Sequence, residues 1–323
     1  MRGKNGRKRH PYLWAVLYGT FLTGYTIFTL LDAFVLPRDM VYLKDIVNTP
    51  PDDETIPDDE DSGESAQSKE PAEPEIPLEP VVTDTGYESA GISITITTQR
   101  KYDTEIYIAD VIIKDASYLR AGLAGGAFGR NVKESTSKMA EENDAILAIN
   151  GDYYGFRDSG FVMRNGYFYR DTARSAAADE ALVIYGDGHM EIIRENDADV
   201  RALTEEAVQI FSFGPGLVQE GDILVNEHSE VEQAMRSNPR TAIGEIAPLH
   251  YIFLVSDGRT EESAGLSLWE LAEIMQELGC ETAYNLDGGG SSTMWFMGRI
   301  VNNPTGGWRS GERSVSDIVY IGE

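Results

Sequence analysis

A run of twenty residues without a charged side chain, Tyr12 to Leu31, lies near the start of this 323-residue chain. As an α-helix rising about 1.5 Å per residue, it is long enough to cross a hydrocarbon layer of about 30 Å. Residues 1–10 hold five basic side chains and no acidic ones, and such short basic flanks stay cytoplasmic. The sequence therefore predicts a cytoplasmic tail over residues 1–11, a transmembrane helix over residues 12–36 and an extracellular remainder.

Two other interpretations of this run remain open. A cleaved signal peptide has a shorter apolar region, of about 7–15 residues, and a small-residue cleavage site, which residues 30–37 (LLDAFVLP) do not offer. A buried helix of a soluble domain would need covering on every side, because the run has no polar face.

A single cysteine rules out an internal disulfide. An uncleaved anchor with almost no cysteine suits a bacterial envelope protein.

Residues 37–84 are predicted to form an acidic, proline-rich linker. Residues 48–80 alone hold twelve acidic residues and one basic residue, Lys69. A segment with so little apolar surface cannot offset the entropy of ordering, and its self-repulsion keeps it extended. We expect a spacer between membrane and domain; binding of calcium or of a basic partner by residues 52–61 is the alternative.

Residues 85–323 are predicted to form one α+β domain with a mixed sheet and few helices. Alternation of Ile92, Ile94 and Ile96 with polar residues indicates a strand. Asn165-Gly166 indicates a tight hairpin. Residues 267–278 read as an amphipathic helix capped by its first serine. Strands outnumber helices without regular βαβ alternation.

The net charge of −27 argues against nucleic acid as a partner, because phosphate binding needs a basic face.

Three turns rich in Gly, Asn and Asp follow predicted buried strands: residues 150–154 (NGDYY), 256–259 (SDGR) and 285–293 (NLDGGGSST). Carboxylates at strand ends are held rigidly beside clefts. An Asp-Gly pair alone is usually only a turn. Three consecutive glycines cost stability unless the backbone is used, and their amides can form an anion-binding nest. The third turn is therefore the strongest candidate for a functional loop.

Arginines form a second line of evidence. Arg240, Arg259, Arg309 and Arg313 all lie in or beside turn-rich segments. Guanidinium groups bind phosphate and carboxylate in bidentate geometry. In so acidic a chain each of them alone is expected to pair with a nearby acid. They would bind an anionic ligand together only if their loops converge.

Six blocks in one order carry a family resemblance: NGDYY (150–154), FGPGLV (213–218), RTAIG (240–244), DGR (257–259), NLDGGGSST (285–293) and ERSVSDIV (312–319). Over about residues 90–323 the chain resembles the phosphodiester glycosidase domain family, also called exopolysaccharide-biosynthesis-like. The resemblance implies a hydrolase that cleaves a sugar-1-phosphodiester at the anomeric carbon. It leaves the sugar and the aglycone open.

The motif positions carry the expected site residues. The expected catalytic residues are Asp287, Asp152, Arg240 and Arg313. The expected substrate-binding residues are Asn150, Tyr153, Thr241, Asp257, Arg259, Asn285, Gly288, Gly289, Gly290, Ser291 and Ser292. Asp152 and Asp287 are also candidate ligands for Ca²⁺ or Mg²⁺, because carboxylate and amide oxygens suit hard cations.

A phosphate leaving group is a weak base, so it needs charge neutralisation more than protonation. Arginines, glycine amides or a divalent cation would supply it, and a carboxylate, Asp287 or Asp152, would activate water or stabilise an oxocarbenium-like centre. The expected partners are a phosphorylated glycan and the membrane. Two rival functions stay open: a non-catalytic module that binds anionic glycan, and a phosphodiesterase that cuts the P–O bond.

Overall fold

The computed structural model describes residues 12–42, 79–176, 178–203, 205–226, 237–306 and 311–323. Its strands are β1 (Arg38–Tyr42), β2 (Val81–Val82), β3 (Gly86–Glu88), β4 (Ile92–Lys101), β5 (Thr104–Ile113), β6 (Leu119–Leu123), β7 (Ala127–Arg130), β8 (Leu147–Asn150), β9 (Val162–Arg164), β10 (Tyr167–Arg170), β11 (Glu180–Tyr185), β12 (Met190–Arg194), β13 (Ala207–Phe211), β14 (Gly216–Gln219), β15 (Asp222–Ile223), β16 (Thr241–Ala247), β17 (His250–Ser256), β18 (Thr282–Asn285), β19 (Met294–Phe296), β20 (Arg299–Ile300) and β21 (Asp317–Ile321).

The described helices are α1 (Leu13–Phe34), α2 (Thr136–Glu142), α3 (Val200–Leu203) and α4 (Leu268–Glu277). Helix α4 confirms the amphipathic pattern. Its cap, Ser267, accepts from the backbone N–H of Glu270, whose carboxylate in turn accepts from the backbone N–H of Ser267. This reciprocal pair satisfies two donors that a helix start otherwise leaves free. The sequence therefore fixes where α4 begins.

The strands form three main sheets. Nine strands lie in the order β15-β14-β18-β16-β17-β5-β4-β3-β2, five in the order β10-β9-β13-β11-β12, and five in the order β20-β19-β8-β21-β6. The α+β class holds, but the expectation of a mixed sheet was wrong for the described strands, which all pair antiparallel. The reason is connectivity: neighbours such as β4 and β5, or β11 and β12, are joined by short hairpins, which reverse the chain.

One face of the nine-stranded sheet packs against both five-stranded sheets. Ile94 of β4, Phe253 of β17, Ile149 of β8 and Phe211 of β13 belong to this single core. The opposite face is covered by the apolar side of α4, including Leu271. Strands β8 and β18 thus belong to different sheets that face each other. The turns that follow them start from the same core and approach one another.

The N-terminal part holds one apolar helix. Within α1, residues Trp14–Asp32 have the length and composition of a membrane span, and none of this window is buried. A signal sequence has the same properties. The predicted tail at 1–11 and residues 43–78 of the predicted linker lie outside the described residues. Strands β1 and β2 fall inside the range 37–84, and β2 pairs with β3, so the folded sheet extends at least to Val81.

Candidate active site

An open cleft of about 850 Å³ lies where the turns after β8, β13 and β18 meet. Of the expected site residues, the structure brings eight to its walls: Tyr153, Arg240, Arg259, Asn285, Asp287, Gly288, Gly289 and Arg313. The other seven lie behind the wall: Asn150, Asp152, Thr241, Asp257, Gly290, Ser291 and Ser292. Arg309 is outside the described residues.

Asp287 contributes a carboxylate to this wall. Its Oδ2 accepts from Nη2 of Arg313 at 2.9 Å and from the hydroxyl of Ser291 at 2.6 Å, and its Oδ1 accepts from the backbone N–H of Gly288 at 2.9 Å. Burial raises the pKa of Asp287, and Arg313, Ser291 and Gly288 oppose that rise. The side chain of Arg313 is 44% exposed, so this guanidinium can reach a ligand in the cleft.

Two further arginines line the cleft beside the glycine loop. Nε of Arg240 donates to the carbonyl of Leu266 at 2.9 Å. Nε and Nη2 of Arg259 both donate to Oδ1 of Asn238, at 3.0 and 2.8 Å. The guanidinium of Arg259 lies against Gly289, where an added Cβ would be 2.9 Å from Nη2. Arg240, Arg259 and Arg313 thus surround the residues that follow Asp287.

The three glycines serve close packing more than anion binding. The N–H of Gly288 is bonded to Asp287, and the N–H of Gly289 to the carbonyl of Pro239 at 2.8 Å. A Cβ on Gly290 would lie 2.7 Å from Cα of Gly306. Gly289 has a φ of +62°, which favours glycine. The expected nest over 288–290 is therefore not formed by the first two amides, which already have partners.

Asn150 and Thr241 form a buried tie between sheets. The hydroxyl of Thr241 donates to Oδ1 of Asn150 at 2.8 Å, and Nδ2 of Asn150 donates to the carbonyl of Asp287 at 2.5 Å. Both residues are fully buried. Because Asn150 ends β8 and Thr241 begins β16, this tie positions the Asp287 turn. The expectation that the two side chains contact substrate does not fit their burial.

Asp152 belongs to a buried ion cluster rather than to the cleft. Its Oδ2 accepts from Nη2 of Arg164 at 2.9 Å, and Asp317 accepts from Nε of the same guanidinium at 2.8 Å; the three side chains are 0% exposed. Burial raises the pKa of Asp317 to about 7, and Arg164 opposes the rise. The expected catalytic role of Asp152 in direct contact with substrate does not fit its burial, because Arg164 on β9 draws its carboxylate inward.

Asp257, too, is turned away from the cleft. One oxygen accepts from the hydroxyl of Tyr107 at 3.1 Å, and the other accepts from the backbone N–H of Asn303 at 2.8 Å. These bonds hold the turn after β17 against β5. Burial raises the pKa of Asp257. Its expected substrate contact therefore does not match its position, whereas Arg259, two residues on, does reach the cleft.

Asn285 lies in the cleft wall, between the side that holds Tyr153 and Phe213 and the side formed by the glycine loop. Its Nδ2 donates to the carbonyl of Gly214 at 2.7 Å, and its buried Oδ1 accepts no hydrogen bond within the described residues. Of the serines behind the wall, Ser291 bonds Asp287, whereas the buried hydroxyl of Ser292 has no partner in the described part of the chain. Oδ1 of Asn285 is thus buried behind the cleft surface and is not exposed to a ligand.

The sequence interpretation missed several residues of the cleft: Arg157, Arg174, Asp179, Glu180 and Phe213. Arg157 lies three residues after the NGDYY turn, and Phe213 is the first residue of the FGPGLV block. Arg174 and Glu180 stand in a segment without a recognisable pattern. They reach the cleft because Arg174 donates to the carbonyls of Phe213 and Glu180, at 2.9 and 2.6 Å.

The candidate cation ligands do not fit a divalent ion. Asp152 is paired with Arg164 and Asp287 with Arg313, so each carboxylate already faces a positive charge. No group of three or more His, Cys, Asp or Glu side chains in the described ranges has the arrangement to hold a metal. Hard cations need several oxygen ligands together. No catalytic step is assigned to a metal here.

Fold and cleft together define an antiparallel α+β domain with a carboxylate set among arginines. The phosphodiester glycosidase family model matches residues 143–322. The chain belongs to the phosphodiester glycosidase family, which confirms the resemblance noted in the sequence.

Three relatives are similar in sequence. The SPbeta prophage-derived protein YomE of Bacillus subtilis is 31% identical over 201 residues, covering 60% of this chain and 30% of the relative. N-acetylglucosamine-1-phosphodiester α-N-acetylglucosaminidase is 26% identical in Homo sapiens, over 65% of this chain and 44% of the relative, and 30% identical in Mus musculus, over the same shares. The chain thus spans less than half the length of these curated relatives.

Two solved structures share the fold. The catalytic domain of the zebrafish N-acetylglucosamine-1-phosphodiester α-N-acetylglucosaminidase, auto-inhibited by its pro-peptide, superposes with a TM-score of 0.57 at 21% identity, over 72% of this chain and 83% of that one. A protein from Synechocystis superposes with a TM-score of 0.51 at 16% identity, over 72% and 62%. At these identities the likeness concerns the fold alone.

Proposed function

We propose that this protein hydrolyses a sugar-1-phosphodiester in the cleft, breaking the bond between the anomeric carbon and the phosphate oxygen. The observation that carries the proposal is the position of Asp287, a carboxylate at the cleft wall in contact with Arg313. The family and the named activity of the mammalian relatives point to the same reaction class.

The arginines beside the glycine loop suit the leaving group. A phosphate ester released from the sugar carries its own negative charge and needs little protonation. Arg240, Arg259 and Arg313 would bind it and offset that charge as it develops. A pre-organised donor of this kind contributes about 3 kcal/mol to transition-state stabilisation. No second carboxylate acting as a general acid is required, which is consistent with the burial of Asp152.

Asp287 then acts on the sugar side of the bond. As a carboxylate it either activates water for attack on the anomeric carbon or stabilises positive charge that forms there. Arg313 contacts both Asp287 and Ser291, so it links the carboxylate to the phosphate-binding side.

For the whole chain, we propose that α1 anchors the domain on the outer side of a membrane, where it acts on envelope or exopolysaccharide glycan. The length of the apolar run and the basic residues before it support this arrangement. Full-length protein should stay with membranes after alkaline carbonate extraction, and release of the intact chain would contradict an anchor.

The activity is tested with synthetic glycosyl methyl phosphodiesters, followed by release of free sugar and methyl phosphate. We expect turnover by the wild type and a loss of about 10²- to 10⁴-fold in kcat for Asp287→Asn. Asp103→Asn, which changes an exposed carboxylate, should leave turnover unchanged. Full activity of Asp287→Asn would remove Asp287 from the mechanism. Binding without turnover by the wild type would favour the glycan-binding module instead.

A further inference from the structure

The arginines of the cleft fall into two groups held by different parts of the chain. Arg240, Arg259 and Arg313 surround the loop that follows Asp287. Arg157 and Arg174 are instead attached to the segment after β13: Arg157 donates to the carbonyl of Ser212 at 2.8 Å, and Arg174 to that of Phe213 at 2.9 Å. One phosphodiester needs only the first group, so the second calls for its own explanation.

The charge of Arg174 is balanced by acidic residues of the protein itself. Its Nε donates to Glu195 at 2.8 Å, a second nitrogen lies 3.6 Å from Asp179, and its side chain is only 13% exposed. Its guanidinium is therefore neutralised and fixed. It shapes the cleft without offering a free charge to a ligand.

Arg157 differs because no carboxylate of the described residues neutralises its charge. Within the described residues, only its Nη1 has a hydrogen-bond partner, the carbonyl of Ser212, and no carboxylate lies within ion-pair distance. The guanidinium carbon lies 5.0 Å from the ring centre of Phe213 and 5.7 Å from that of Tyr153. Aromatic faces hold a cation in place and leave its formal charge intact. A fixed, uncompensated cation in a cleft is a binding site for an anion.

Arg157 and one of the phosphate-binding arginines, Arg259, are connected to opposite ends of the segment 285–289. At one end Asn285 bonds to Gly214, the neighbour of Phe213, on whose ring Arg157 lies. At the other end Gly289 lies against Arg259. Asp287 stands between them in the chain. A substrate whose scissile bond is at Asp287 and whose phosphate faces Arg259 therefore extends its sugar side towards Arg157.

We propose that Arg157 binds a second phosphodiester on the sugar side of the scissile bond, so that the preferred substrate is an oligomer of sugars joined by repeating phosphodiesters. The inference rests on the proposed function and specifies its substrate class. It predicts that the enzyme prefers substrates in which the released sugar carries a further negative charge on the side away from the scissile bond.

The test compares three substrates: a glycosyl methyl phosphodiester, a dimer whose second linkage is also a phosphodiester, and a dimer of the same sugars with an uncharged glycosidic second linkage. For the wild type we expect kcat/KM for the charged dimer to exceed that for the uncharged dimer about tenfold, as one charge-assisted contact implies. The ratio should fall with added salt, because screening weakens the contact.

Arg157→Gln should bring this ratio close to one, and Arg157→Lys, which keeps the charge without the guanidinium fork, should retain part of it. Arg194→Gln, which removes an exposed charge from β12, should keep the full ratio. Circular dichroism and thermal unfolding of the variants check that each is folded. A wild-type ratio near one, or a full ratio in Arg157→Gln, would overturn the inference and leave the proposed function standing. Failure of the wild type on all three substrates would overturn both.

Discussion

Nη2 of Arg313 lies 2.9 Å from Oδ2 of Asp287, and both side chains form part of the cleft wall. The two residues are brought together by the hydroxyl of Ser291, which donates to Asp287 and accepts from Nε of Arg313 at 2.8 Å. This arrangement sets a mostly buried carboxylate next to a partly exposed cation. Such a pair suits a reaction in which one side chain faces the sugar and the other the phosphate.

Removing Arg313 should change the pH dependence of activity. Burial raises the pKa of Asp287, and Arg313 is the strongest influence that lowers it. In Arg313→Gln that pKa rises further, so the acidic limb of the pH profile of kcat/KM moves to higher pH. Arg313→Lys should show a smaller displacement because it keeps the charge. An acidic limb at the same pH in all three proteins would show that Asp287 is not the group that titrates.

The buried cluster of Asp152, Arg164 and Asp317 should dominate local stability. Arg164→Met leaves two buried carboxylates without their cation, and we expect a loss of about 3–5 kcal/mol in the free energy of unfolding. Arg130→Met removes a comparable guanidinium from a surface pair with Asp158, 79% exposed, and should cost about 1 kcal/mol or less. Urea unfolding measures both. Equal losses would mean that the buried cluster contributes no more than a surface pair.

Asp317 should make the stability depend on pH in a defined direction. Its pKa is raised from 3.8 to about 7 by burial, so the folded state binds a proton that the unfolded state has released. The stabilisation is complete below about pH 4 and is lost as the pH rises through about 7. Asp317→Asn cannot titrate, so its loss of stability between these pH values should be shallower. The exposed Asp158→Asn should keep the wild-type slope, and an unchanged slope in Asp317→Asn would refute the assignment.

The contact between the glycine loop and Gly306 can be tested by adding one methyl group. In Gly290→Ala the new Cβ would lie 2.7 Å from Cα of Gly306, so the loop must shift, at a cost of about 1–3 kcal/mol. Because Asp287 and Ser291 flank this position, kcat/KM should fall too. Gly186→Ala has its nearest atom at 3.6 Å and should change stability by about 0.5 kcal/mol or less. Similar behaviour of the two variants would contradict close packing at Gly290.

Local features of the fold were predictable because neighbouring residues determine them. Asn165 and Gly166 both have positive φ, at 52° and 80°, as their hairpin requires. The start of α4 follows from Ser267 and Glu270. The pairing of strands was harder to predict from the sequence, since it depends on which distant strands meet. The described strands pair antiparallel, whereas a mixed sheet was expected.

In the site, too, features set by nearby residues were easier to predict than contacts between distant parts of the chain. Asp287 and Arg313 were predicted as site residues from their motifs, and they lie in contact across 26 positions of sequence. The burial of Asp152 could not be predicted from the sequence. Its partner Arg164 comes from β9, and Asp317, which binds the same guanidinium, comes from β21. Arg157 carried no signal beyond its nearness to the NGDYY turn. Burial and pairing are properties of the packed molecule, and they decide which polar residues remain available to a ligand.

The bond that is broken provides the most direct test of the account. Hydrolysis of a glycosyl methyl phosphodiester in water enriched in ¹⁸O places the label in the product that receives the oxygen of water. If Asp287 directs water to the anomeric carbon and the arginines bind the departing phosphate, mass spectrometry should find the label in the free sugar. Label in the phosphate would show attack on phosphorus and contradict the proposed glycosidase reaction.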